Sequence, residues 1–85
     1  MDKYVFVLYS SITFATRVRK MFEGDPRIAL MHAPQGLPIN SCAYALRVPK
    51  AMVGCVLNMS SELDIKTMGV YVKIEGGYEP YDLPR

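Results

Sequence analysis

Lys3-Tyr4-Val5-Phe6-Val7-Leu8-Tyr9 is β-branched and aromatic almost throughout, and apolar on both of the faces that a strand's two-residue period creates. Such a strand needs cover on both sides and is expected in the middle of a sheet. Ser10 and Ser11 stop it, and both are good N-cap residues for a following helix. From Ile12 to Phe22 the residues Ala15, Val18 and Phe22 recur at helical spacing, with Phe14 and Met21 flanking them. Arg17, Arg19, Lys20 and Glu23 fall mainly outside that stripe. Gly24-Asp25-Pro26 ends the helix.

Arg27 to Ala33 follows as a second strand, with Ile28 and Leu30 on one face, Ala29 and Met31 on the other, and His32 near its end. Pro34-Gln35-Gly36-Leu37-Pro38-Ile39-Asn40-Ser41-Cys42 is a loop held out of regular structure by two prolines and a glycine. Tyr44 to Val48 is a third strand, and Pro49 stands at a first helical position. The second helix has the stripe Met52, Cys55, Val56, Met59 and Leu63, with Asn58, Ser60, Ser61 and Glu62 on much of the other face. Gly54 inside it suggests close packing, since glycine costs a helix roughly 1 kcal/mol relative to alanine. Met68 to Glu75 is a fourth strand. Gly76-Gly77 breaks it, and residues 78–85 are too proline-rich for a further element, although Tyr78, Tyr81 and Leu83 imply packing.

The order strand, helix, strand, strand, helix, strand predicts an α+β fold, a ferredoxin-like βαββαβ two-layer sandwich with a four-stranded antiparallel sheet. The core spans residues 3–75 of a single domain and 76–85 form a tail. The first and third strands lie side by side in the middle, with both helices on one face. The bare face is expected to carry Val5, Val7, Met31, Ala45 and Tyr71, which is too apolar for open water. A homodimer through this face is the simplest remedy, and the tail folding over it is the competing one. The starts of the first and third strands and the C-terminal ends of both helices are expected at the edge that holds the loop.

Composition narrows the classes of function. A net charge of +2 over 85 residues is too mild for a nucleic-acid footprint. The densest basic segment, Arg17 to Lys20, is read as a solvated helix face. An RNA-binding sheet would want exposed aromatics amid basic residues, and the expected bare face offers Tyr71, Lys73 and Arg47. No nucleic acid is therefore expected. The chain reads straight from Met1 into a strand, and no apolar run approaches the ~18 residues of a membrane span. No membrane association is expected, and the cytoplasm is the expected compartment, with reduced thiols. Two cysteines and one histidine fall short of a zinc ligand set, so neither metal nor cofactor is expected.

Cys42 and Cys55 stand with twelve residues between them and form no redox pair motif. Cys55, in mid-stripe on an amphipathic helix, is read as a core residue. Cys42 is either a small residue filling the base of a hairpin or a presented thiol. By alternation it shares a face with Tyr44 and Leu46, and His32 shares one with Leu30 and Ile28. His32 is then placed to favour a thiolate as a possible base, although a hydrogen-bonded structural histidine is the commoner case. Helix C-termini at that edge would oppose the thiolate, leaving His32, Arg47 or loop amides to support it.

Tyr4-Val5-Phe6-Val7-Leu8-Tyr9-Ser10-Ser11 and Ser41-Cys42-Ala43-Tyr44-Ala45-Leu46-Arg47, taken with the length, resemble the short bacterial family of selenium/sulfur carrier-like proteins, which also occur fused to sulfurtransferase-like modules. The similarity covers roughly residues 3–75. Its most specific piece is a serine-cysteine-glycine-x-alanine-leucine-arginine signature after a proline-containing loop. The resemblance implies that Cys42 carries a persulfide or perselenide, with Ser41, Ala43 and Arg47 around it. The family's glycine is Ala43 here, which narrows the backbone conformations available, and Asn40 stands where the family often has serine. A sulfur or selenium donor protein is the implied partner, and a carrier is expected rather than an enzyme with its own turnover. The alternative is a non-catalytic interaction or regulatory module that binds a partner through its sheet face.

Overall fold

The computed structural model describes residues 4–37 and 43–81; Lys3, the loop residues 38–42 and Leu83 lie outside them. The elements in chain order are β1 (Tyr4–Tyr9), α1 (Ile12–Lys20), β2 (Ala29–His32), β3 (Tyr44–Pro49), α2 (Val53–Glu62), β4 (Gly69–Ile74) and β5 (Gly77–Pro80). They form a small α+β fold with one five-stranded sheet, in the order β2-β3-β1-β4-β5, antiparallel at every pair. The expected central strand is central: β1 pairs with β3 on one side and β4 on the other, and Val5 to Tyr9 are all buried.

The sheet has five strands rather than four, because the proline-rich tail does form an element. Glu75 and Gly76 make a two-residue turn, with Gly76 at φ 87, so that Gly77 pairs with Ile74 and Pro80 with Tyr71. Proline is tolerated there because β5 is an edge strand, where a missing N–H removes no ladder bond. Tyr81 N–H then donates to Val70 O at 2.8 Å and continues the pairing. At the other end of β4, Gly69 has φ 148, and a Cβ on it would sit 2.9 Å from the Tyr71 ring, so a larger residue would have to displace that ring.

The alternation in β1 is the reverse of the expected one. Val5, Val7 and Tyr9 face the helices with Leu46, Val48, Val72, Ala15, Val18, Val53 and Val56. Phe6 and Leu8 take the opposite face with Ala45, Met31 and Tyr71. A strand apolar on both sides carries no signal of its own about which face is which. The pairing decides it: Val5 stands opposite Val48, and Phe6 opposite Arg47, whose charge excludes it from the core side. Leu37, from the loop after β2, and Tyr78 of β5 pack on this second face, so loop and tail cover part of it.

Ser11 caps α1, its Oγ accepting from Phe14 N–H at 3.2 Å. Between α1 and β2, the Arg27 side chain and backbone N–H donate to the Asp25 carboxylate and hold it below its ordinary range. Pro49 ends β3 and leads into a short 3-10 turn, Lys50–Met52, so α2 proper begins at Val53. The extra turn rotates the buried stripe to Val53, Val56 and Ser60, with Leu57 and Leu63 half-buried beside them. Cys55 is left exposed, against the expectation of a core residue. Gly54 meets nothing within 4 Å of a would-be Cβ, so it serves no close packing. Among the described residues no helix is long and apolar enough to cross a membrane.

Sheet and α2 are joined by one buried polar link. Ser60 Oγ lies 2.9 Å from Val56 O and 2.7 Å from Tyr9 Oη. The serine has one proton, and the carbonyl can only accept, so Ser60 donates to Val56 and Tyr9 donates to Ser60. Burial raises the Tyr9 pKa above the usual 10.0, against a smaller opposing effect of the Ser60 bond.

Four outcomes follow for equilibrium unfolding. Gly54→Ala stabilises by about 1 kcal/mol, since the position is helical and open. Tyr9→Phe costs about 1 kcal/mol because Ser60 keeps its carbonyl partner, whereas Ser60→Ala strands a buried hydroxyl and costs about 1–3 kcal/mol. Because the folded-state pKa of Tyr9 is raised, its contribution is complete below the unfolded value and lost as pH rises through the folded one. The wild type therefore loses stability at alkaline pH with a slope that Tyr9→Phe reduces, and equal slopes would refute the assignment.

Candidate functional site

The β2–β3 hairpin brings His32 and Ala43, of the sequence-predicted residues, to one sheet edge. Met31 pairs with Ala45 and His32 with Tyr44, and Ala33 N–H donates to Ala43 O at 2.9 Å to close the described stem. Ser41 and Cys42 lie outside the described residues. Ala43, which precedes the strand, is 3% exposed. Its φ is not positive, the one such non-glycine residue among those described being Asp64. Alanine is therefore accommodated here without backbone strain.

His32 is exposed and lies against the Tyr44 ring, with centroids 4.8 Å apart and planes 35° apart. Such a contact fixes the ring's position while leaving the imidazole open to solvent. Leu30 and Tyr44, which share this face, pack against the helix-side core.

The helix ends at this edge differ from expectation. Because β1 and β3 are antiparallel, the start of β1 lies opposite the end of β3, Tyr4 pairing with Pro49. The hairpin edge instead takes the end of β1, where Tyr9 pairs with Tyr44. Ser11, the N-cap of α1, follows two residues after Tyr9. The edge thus holds the N-terminus of α1, whose partial positive charge favours an anion. Only α2 delivers its C-terminal end toward β4 at the same edge.

Arg47 does not join this group. It stands three residues along β3 from Tyr44, roughly 10 Å by strand rise, and on the opposite face of the sheet. Its guanidinium carbon lies 4.7 Å from the centroid of the Tyr4 ring. Tyr4, Phe6, Arg47 and Lys73 line a cleft of about 260 Å³ on that face. The aromatic members of this cleft are not legible in β1 itself, because both of its alternating sets are apolar. The signal that finds them is Arg47 itself: a charged residue facing outward on β3 fixes the faces of every strand paired with it. Among the described residues no three histidine, cysteine or acidic side chains gather as a metal site. No family model, curated protein or solved structure matches the chain.

Proposed function

We propose that this chain is a thiol-based carrier of sulfur or selenium, with Cys42 as the accepting residue, on a ferredoxin-like βαββαβ scaffold extended by β5. The observation that carries the reading is the juxtaposition at the hairpin edge of Ala43 and Tyr44, which follow Cys42 in the chain, with the capped start of α1. Tyr44, two residues after Cys42 in the chain, pairs with Tyr9, two residues before the cap Ser11. A helix N-terminus lowers the pKa of a nearby thiol, and His32 is exposed at the same edge. Ser41 and Ala43 flank the sulfur in sequence, while Arg47 acts on the far face.

The transfer needs no cofactor. The Cys42 thiolate attacks the terminal sulfur of a persulfide on a donor protein of the desulfurase type. A new S–S bond forms at Cys42, the donor's S–S bond breaks, and the donor leaves as a thiolate, with no net change in oxidation level. A selenium atom follows the same path as a perselenide. Such a carrier suits the reducing cytoplasm, and a homodimer remains part of this proposal.

The exposure of Cys55 makes it the necessary control. Incubated with a persulfide-loaded donor, wild type and Cys55→Ser gain one chalcogen atom by mass spectrometry, and Cys42→Ser gains none. Cys42 also alkylates faster than Cys55 at neutral pH. Equal loading of Cys42→Ser, or alkylation of Cys42 no faster than that of a free thiol, rejects the carrier.

A further inference from the structure

β2 and β5 are the opposite borders of the sheet, four strand spacings or roughly 19 Å apart. The segments beside them nevertheless meet over its middle, on the face away from the helices. From one border the Tyr78 ring reaches across β4 to the Phe6 ring of β1, edge-on with 5.7 Å between centroids. From the other border the chain after β2 comes inward. Gly36 lies against the Tyr78 ring, where a Cβ would stand 3.8 Å from it, and Leu37 is buried with Phe6, Leu8 and Ala45. Gly36 has φ 96, a conformation that strains any side chain, so glycine makes the turn that brings the chain to the ring. Tyr81, three residues beyond Tyr78, packs against the helix-side core, with the Lys50 ammonium 5.6 Å from its ring centroid. The tail thus clasps β4 with one tyrosine on each face of the sheet.

We propose that Tyr78 is a positioning residue for the Cys42 thiol: it latches residues 33–37 to the sheet, and that arm leads in the chain to Cys42. The inference rests on the carrier reading above. Among the described residues no backbone–backbone hydrogen bond ties Pro34 to Leu37 to the rest of the chain. Side-chain packing therefore holds the arm, and Tyr78 supplies the wall on which Gly36 rests. Leu37 and Ala43 are both buried, so the chain that runs from one to the other through Cys42 is fixed at both ends. Fixing the ends of a loop removes conformations that a free loop would sample. One of those ends depends on the tail. A four-residue border strand is the kind of element that opens locally before the rest of a fold, so the latch is also where the arm can be released.

The test alkylates the full chain with limiting iodoacetamide and reads the ratio of the Cys42 and Cys55 rates by mass spectrometry. Cys55, exposed on α2, is the internal reference. The wild-type ratio favours Cys42. Tyr78→Phe keeps the ring and with it the ratio. Tyr78→Ala lowers the ratio to about one, the value for two thiols that no neighbour distinguishes, and shifts the Leu37 methyl resonances. Val48→Ala, which removes helix-side core volume where β3 pairs with Val5, lowers the urea midpoint and leaves the ratio unchanged. Should Tyr78→Ala fail to fold, Tyr78→Leu, apolar but without a ring, supplies the same readout. An unchanged ratio in the folded variant, an equal fall in Tyr78→Phe or Val48→Ala, or Leu37 methyls that do not respond would overturn the latch. The carrier reading fails by a different result, a persulfide-loaded donor that charges Cys42→Ser as fully as wild type.

Discussion

Everything in this small fold hangs on one strand having to be dry on both sides. Val5 to Tyr9 present large apolar groups alternately up and down, and neither set tolerates water. The helices cover Val5, Val7 and Tyr9, while the cover for Phe6 and Leu8 comes from the loop at Leu37 and from Tyr78 in β5. A chain of this size buries only about 60% of its unfolded surface. Its tail therefore cannot be spare: the second layer of cover is drawn from segments that carry no strong periodicity of their own. The Tyr9–Ser60 bond adds direction to what is otherwise non-directional burial, since it registers α2 against the end of β1.

That same two-sidedness explains which parts of the architecture were legible in sequence. The α+β class, the order of the first four strands, the Ser11 cap and the antiparallel β1–β3 pair all follow from periodicity and turn residues. Local patterns of that kind survive into the fold. The face assignment of β1 could not be read from β1, because both its alternating sets are apolar; it had to be read across the ladder from Arg47. Cys55 was misassigned because a 3-10 turn after Pro49 shifts the helix by a fraction of a turn, and no stripe of mixed apolar and small residues discriminates so fine a rotation. β5 does not show in the sequence because proline ordinarily breaks a strand, and only its position on an edge makes it harmless here.

The hairpin edge and the face away from the helices differ in how they present charge. At the hairpin edge the backbone supplies a partial positive charge, through the start of α1. On the face away from the helices it comes from side chains, Arg47 and Lys73, which stand beside the Tyr4 and Phe6 rings of β1. Arg47 thus follows Cys42 closely in sequence yet stands on the face of β3 opposite to that of Tyr44 and Leu46. Neighbours in sequence are separated here by the strand's own length.

Closing the sheet at β5 also governs how the molecule behaves in a crowded solution. Without that hairpin, β4 would offer six residues of unpaired backbone as a template for another chain. With it, the outermost strand on that side is four residues long and ends in proline, which cannot donate a hydrogen bond. The opposite border, β2, is equally short. Both margins are poor seeds for intermolecular β-pairing, so a chain with so much apolar content is guarded against fibrillar growth by the very segment that completes its core.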